Sequence, residues 1–210
     1  MSGFYDFYDV AVVGGGHAGV EAALAGARMG LKTLLITQAV DAMARMSCNP
    51  SIGGIAKGNI VREIDALGGE MAKLIDSSMI QFRMLNKSRG PAVQAPRSQA
   101  DKIAYSRSAR LTVESTPNLF TLMDTVSDII TTPSESHLPP DSGAAAEKNA
   151  MRQKITALVT ERGRIISVRA AVLTTGTFLG GRIFIGEYDA PCGRLGEAAA
   201  NGLTDSLERL

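Results

Sequence analysis

Apolar residues fall in two rhythms along this chain, and the switches between them mark its elements. Val10–Val13 is an unbroken run of strand-forming residues that stops at three glycines. Small residues then recur at helical spacing, Ala18, Ala22, Ala23, Ala25 and Ala27, and predict a helix over about His17–Met29. After Gly30, Thr33–Ile36 reads as a second buried strand. A right-handed crossover makes the two strands parallel neighbours. Ile55, Ile60, Val61, Ile64 and Leu67 give a second helix, ended by Gly68 and Gly69, and Met71–Ser77 a short third. Gln99 to about Val113 gives a fourth, with Ser98 as its cap. Leu119–Met123 predicts the next strand, and Thr125–Ile130 continues in extended form. Lys154–Thr160 and Ile165–Ala170 flank a turn at Gly163 and read as a hairpin. Ala171–Thr175 is a further buried strand, and Glu197–Leu210 a short helix. This order predicts an α/β, Rossmann-like fold: a parallel sheet plus a β-hairpin, β-rich piece.

Three segments break the rhythm. Ala44–Gly58 is rich in glycine and serine and reads as a loop leading into the second helix. Gln81–Arg97 is interrupted by Gly90, Pro91 and Pro96 and also reads as a loop. Thr131–Ala150 is too polar to bury much, so it is expected to be a mobile surface insert, with His137 inert within it.

The candidate chemistry starts at the first glycine cluster. Gly14, Gly16 and Gly19 fit G-x-G-x-x-G between a strand and a helix. In a dinucleotide site Gly14 allows the tight turn, Gly16 admits the pyrophosphate, and Gly19 lets the helix pack on the strand. The helix N-terminus offers N–H groups and a partial positive charge to phosphates. A plain strand-to-helix turn is the other reading. His17 is either a solvated helix-start residue or a proton carrier. The acidic residue that commonly binds ribose at the end of the second strand is replaced by Thr37 and Gln38, with Asp41 a little late.

Cys48 precedes the second helix, with Arg45 and Lys57 near in sequence, a setting that lowers a thiol's pKa. A small buried apolar residue is the alternative. Arg83, Lys87, Arg89 and Arg97 occupy a stretch with no acidic residue between Asp76 and Asp101. It reads either as a solvated loop or as an electropositive rim for a phosphate-bearing ligand or an anionic flavin. Cys192, beside Pro191 and Gly193, is read as an incidental loop cysteine.

Composition narrows the class. The 210 residues suit one domain, residues 1–210, with 131–150 as its insert. A hydrophobic fraction of 45% supports a real core. A net charge of +1 gives no global pull toward nucleic acid or membrane. Two cysteines without framework spacing point to a reducing compartment, hence a cytoplasmic location. Met1–Asp9 lacks a basic region before a long apolar run, so no signal peptide is expected, and no stretch has the length of a membrane span. No metal site is expected.

Several blocks together carry a family resemblance: Gly14-Gly15-Gly16-His17-Ala18-Gly19-Val20-Glu21-Ala22-Ala23, Met46-Ser47-Cys48-Asn49-Pro50-Ser51-Ile52-Gly53-Gly54, Arg62-Glu63-Ile64-Asp65-Ala66-Leu67-Gly68-Gly69, Gly90-Pro91-Ala92-Val93 and Leu173-Thr174-Thr175-Gly176-Thr177. The chain resembles the GidA/MnmG family, FAD-containing enzymes of tRNA uridine 5-carboxymethylaminomethyl modification. The resemblance implies an FAD-binding domain, with Gly14, Gly15, Gly16, His17, Ala18 and Gly19 holding FAD and an adenine contact near Val126. It implies NADH as reductant, a folate one-carbon donor, tRNA as substrate, the GTPase MnmE as partner, and a homodimer within a heterotetramer. It assigns Cys48 a catalytic role, as nucleophile or acid/base. Family chains are much longer, so this one is expected to be an N-terminal part, truncated relative to them. The nicotinamide-binding region would then lie largely outside it. A serine that contacts FAD in the family appears here as alanine, near Ala200. A folate- and FAD-dependent tRNA methyltransferase, and a truncated flavin-binding module without turnover, are the alternative functions.

Overall fold

The computed structural model describes residues 7–47, 49–133 and 153–210. It divides into two compact units, one of Val10–Asp124 with Val172–Gly176, the other of the chain up to Asp9, Thr125–Ala171 and Thr177–Leu210.

In the first unit the apolar runs become parallel strands. β1 (Phe7–Val13) leads through α1 (His17–Arg28) to β2 (Thr33–Thr37), paired in parallel from Val10 opposite Thr33 to Val13 opposite Ile36. Every residue of β2 is buried, as in a parallel strand covered on both faces. Then follow β3 (Ser51–Gly53), α2 (Lys57–Ala66), α3 (Met71–Ser78), β4 (Met79–Leu85), β5 (Ala95–Ala100), α4 (Lys102–Ser115) and β6 (Leu119–Met123). β6 lies parallel to β2 on the side away from β1. One core cluster gathers Val20, Leu24 and Ala27 of α1, Leu35 of β2, Tyr105, Ala109 and Val113 of α4, and Leu74 and Ile75 of α3. Burying each large side chain contributes about 1.5–3 kcal/mol before entropy is charged.

A second, smaller sheet corrects the expectation of loops. β3, β5 and β4 pair antiparallel in that order, so Gln81–Leu85 and Ala95–Arg97, the two ends of the expected loop, are strand. Only Asn86–Gln94 connects β4 to β5, with the Asn86 carboxamide donating to the Val93 carbonyl at 2.9 Å. Within Ala44–Gly58, Ser51–Gly53 is likewise strand. The cap of α4 is also reassigned. Ser98 sits inside β5, opposite Ile52 and Phe82. The carboxylate of Asp101 caps the helix instead, accepting from the Ile103 and Ala104 N–H groups at 2.9 and 3.0 Å.

Glu21, on α1, caps a different helix. Its carboxylate accepts from the Glu70 N–H at 2.9 and 3.0 Å and from the Met71 N–H at 2.6 Å, at the start of α3. Arg28 donates to the Gly68 carbonyl at 2.7 Å and pairs with Glu70.

The second unit is antiparallel. β7 (Val126–Pro133), β8 (Gln153–Thr160) and β9 (Ile165–Leu173) form a meander that turns at Gly163. Thr131–Pro133 pair with Gln153–Ile155, so the first residues of the expected insert are strand. The rest of that segment lies outside the described residues, as does His137. β9 is one strand where two were expected, because the run through Ala170 and Ala171 has no breaker. β10 (Ile183–Ile185) pairs with β11 (Tyr188–Ala190), and β12 (Cys192–Arg194) with β13 (Glu197–Ala198). Cys192 is therefore a half-buried free thiol on a strand, not in a loop.

The closing helix, α5 (Gly202–Glu208), is shorter than expected because Glu197–Ala198 pairs as strand. It docks on β7 through Ser206, whose hydroxyl donates to Asp128 and accepts from the Ile129 N–H at 3.0 Å. The Ser206 hydroxyl first, and then the Ile129 N–H, which also donates to Asp128 at 2.9 Å, hold the Asp128 carboxyl below its ordinary pKa. Among the described residues no helix is long and apolar enough to cross a membrane.

Candidate cofactor-binding site

The glycine loop is built by close approach. Gly14 takes a φ of +110°, a region that L side chains avoid, and its N–H donates to the Ile36 carbonyl at 2.8 Å. A Cβ on Gly19 would lie 1.7 Å from the Gly14 carbonyl oxygen, so α1 could not rest on the loop with any other residue there. A Cβ on Gly15 would lie 2.6 Å from the hydroxyl of Thr37 at the end of β2.

Gly16 is different in kind. Its φ of −71° and ψ of −173° suit any residue, and a Cβ there would meet no protein atom within 4 Å. Neither backbone nor packing explains a glycine at this position. The open space lies at the start of α1, which has no side-chain cap and no acidic residue in its first turn. Ala18 is exposed beside it. The cradle fits a pyrophosphate, which needs backbone N–H groups and room rather than side chains.

Three further contacts hold the loop. The Thr174 hydroxyl donates to the carbonyls of Val13 and Gly14 at 3.0 and 2.9 Å, and its N–H donates to Val13 at 2.9 Å. The segment at Thr174–Gly176, just past β9, thereby returns to the glycine loop. The Ala44 N–H donates to the Gly15 carbonyl at 2.9 Å, and α4 pins this neighbouring segment through Ser106, which donates to the Met43 carbonyl at 2.5 Å. Asp41 is paired with Arg110 of α4. Thr37 is buried. Neither of these end-of-strand residues stands as a free carboxylate for ribose.

His17 is half-buried, its ring 5.6 Å from that of Tyr105 in an edge-on arrangement, so packing joins solvation at this helix start. Burial first, and the charge of Glu21 second, push the Tyr105 phenol above its ordinary pKa. Val126 lies in the other unit, where it opens β7 with its side chain buried, opposite Thr160. Ala200, also in that unit, is buried, its N–H donating to Phe178 at 2.8 Å and its carbonyl accepting from Gly180 at 3.1 Å.

Cys48 lies outside the described residues. Its flanks are anchored: Met46 is in the core, Ser51 donates to the Asn49 side chain at 3.1 Å, and the Pro50 carbonyl accepts from Ala100 at 2.7 Å. Among the described residues no group of three or more His, Cys, Asp or Glu could hold a metal.

Two features of the site were not read from the sequence. The Thr174 clamp has no local signature. The pairing of Arg83 with Arg97 is the other: the period-2 alternation of Ile80, Phe82 and Met84 with Gln81 and Arg83 marks β4 as a strand but not its register against β5.

Comparison with known proteins agrees with this architecture. The model of the family described as glucose inhibited division protein A, GidA, matches residues 9–210. A Treponema pallidum protein named tRNA uridine 5-carboxymethylaminomethyl modification enzyme MnmG is 61% identical over 96% of this chain and 30% of its own length. The Borreliella burgdorferi protein of the same name is 56% identical over 95% of this chain, again 30% of its own. The crystal structure of Aquifex aeolicus GidA superposes with a TM-score of 0.84 at 46% identity, covering all of this chain and 32% of that one. The chain thus spans about a third of the length of such relatives. With a Rossmann-like parallel sheet, a glycine loop at the head of α1 and a family match over nearly its whole length, this chain belongs to the GidA family.

Proposed function

We propose that this chain is the FAD-binding part of an enzyme that modifies carbon five of the wobble uridine of tRNA with a carboxymethylaminomethyl group. The single observation that carries the cofactor is Gly16, a glycine in ordinary backbone with empty space where its side chain would be. The names of relatives sharing 61% and 56% of its residues support the reaction.

In this reading the first turn of α1, with Gly14, Gly15, Gly16, His17, Ala18 and Gly19, receives the pyrophosphate, and Val126 lies near the adenine. Thr174 and Thr37 hold the loop in its receptive shape. The flavin, when bound, supplies reversible hydride and electron transfer. Cys48 serves as nucleophile or acid/base. NADH is the reductant, the GTPase MnmE the partner in a heterotetramer built on a homodimer, and the cytoplasm the location.

The test is the visible absorption of the purified chain, with the released cofactor identified after heat denaturation. Bound FAD is the expected result; a colourless protein that stays colourless after added FAD overturns the cofactor assignment. In the longer family protein, Cys48→Ser should abolish wobble-uridine modification while FAD remains bound. Undiminished modification, read by mass analysis of tRNA nucleosides, removes Cys48 from the reaction. Methyluridine at another site would identify the methyltransferase alternative.

A further inference from the structure

The small sheet presents a face made for an anion. In β4 and β5, Arg83 lies directly opposite Arg97, and Gln81 directly opposite Gln99. Directly paired residues of antiparallel strands project to the same side, with strands about 4.8 Å apart. Two guanidinium groups thus share one face beside two carboxamides. On the third strand, Gly53 stands opposite Arg97 and Ser51 opposite Gln99. The row continues with a residue lacking a side chain and then a hydroxyl.

Like charges placed directly across a sheet are destabilising. Folded proteins usually answer such a pair with a carboxylate. None answers it here: among the described residues neither the Arg83 nor the Arg97 side chain has an ion-pair or hydrogen-bond partner. The stretch 77–100 contains four cations, Arg83, Lys87, Arg89 and Arg97, and no acid. Arg83 is exposed and Arg97 half-buried, so the face is open to a ligand. The turn that carries Lys87 and Arg89 is held by Gln94, whose carboxamide donates to the Arg89 carbonyl at 3.0 Å, and it adds two more exposed cations beside the pair.

We propose that Arg83 and Arg97 form a cross-strand clamp for a backbone phosphate of the RNA substrate. The inference rests on the tRNA reading above and gives that reading a docking surface. Two planar donor forks on adjacent strands can share one phosphate, each presenting paired N–H groups to its oxygens. The carboxamides of Gln81 and Gln99 add neutral donors for a second phosphate oxygen or a ribose hydroxyl. The flavin pyrophosphate is the less suitable occupant, because the glycine loop already provides its cradle. The surface also joins Ser51, three residues beyond Cys48, so RNA held here would be anchored by the strand that follows the candidate catalytic loop.

The test uses this chain and a fluorescein-labelled anticodon stem–loop RNA with uridine at the wobble position, in anisotropy titrations at several salt concentrations. The double variant R83Q/R97Q should bind at least tenfold more weakly. Its salt slope should fall by about 1 to 2, the amount expected for one or two lost cation–phosphate contacts. FAD content and melting temperature should match the unsubstituted chain. R83K/R97K should recover the salt slope but only part of the affinity, since charge remains and the fork is lost.

Equal RNA binding and an unchanged salt slope in R83Q/R97Q overturn the clamp while leaving the tRNA reading intact. Loss of FAD together with RNA binding also overturns it, because the pair would then serve the cofactor or the fold. If the unsubstituted chain binds no RNA at any salt concentration, clamp and tRNA reading fall together.

Discussion

The glycine loop and the β4–β5 face both point at phosphate, and they are built in opposite ways. At the loop the protein withdraws. Gly14, Gly15 and Gly19 lack side chains because backbone or hydroxyl atoms stand 1.7–2.6 Å from where a Cβ would be, and Gly16 lacks one although nothing is there. At the sheet the protein extends two long cations, Arg83 and Arg97, whose side chains no neighbour among the described residues neutralises. Backbone recognition of this kind is short-ranged and steric, while paired guanidinium groups act further out and weaken with salt. The first suits a cofactor that stays, the second a polyanion that must arrive and leave.

Substitutions at two glycines three residues apart sharpen the contrast most. Gly19→Val puts atoms where the Gly14 carbonyl stands, and should cost about 3 kcal/mol or more, seen as a large fall in melting temperature or as insoluble protein. Gly16→Val should leave the unfolding free energy of the FAD-free chain within about 0.5 kcal/mol of the original, as for other surface changes. Its FAD affinity should fall at least tenfold, or about 1.4 kcal/mol. If both substitutions only destabilised, Gly16 would be a packing residue and the contrast would fail.

The next effect is smaller. Glu21→Ala removes the acceptor of two N–H groups at the start of α3, and should cost about 1–2 kcal/mol in denaturant unfolding with FAD affinity nearly unchanged. Loss of FAD binding instead would tie α3 to the cofactor.

The smallest effect separates the two capping assignments. Asp101→Ala should cost about 1 kcal/mol. Ser98→Ala should cost less than about 0.5 kcal/mol, since the hydroxyl's nearest partner is the Met79 sulfur at 4.0 Å. The reverse order would restore Ser98 as the cap.

The same contrast explains what was readable in advance. A glycine's demands are local, so G-x-G-x-x-G between a strand and a helix announced the loop and its helix. The parallel strands were readable because their apolar runs are continuous. β5 was not, because Ala-Pro-Arg-Ser-Gln-Ala has little strand propensity and no alternation; it is a strand because β3 and β4 pair with it from both sides. Misreading β5 also misplaced the cap by three residues, from Asp101 to Ser98. The Arg83–Arg97 pairing depends on register across a nine-residue connection, which no local pattern specifies. Cys48 was singled out from its neighbours and the family blocks, and its anchored flanks are what the structure adds.

The carboxylate of Glu21 has one more effect. Amides in the first turn of a helix ordinarily exchange with solvent faster than those further in, because nothing inside the helix accepts from them. At α3 the Glu70 and Met71 amides are occupied by a side chain that sits one turn into α1. Their hydrogen–deuterium exchange is therefore gated by separation of the two helices, not by fraying of α3 alone. Two backbone protons on a different helix would report, in minutes or hours, how firmly the helix that begins at the glycine loop is held.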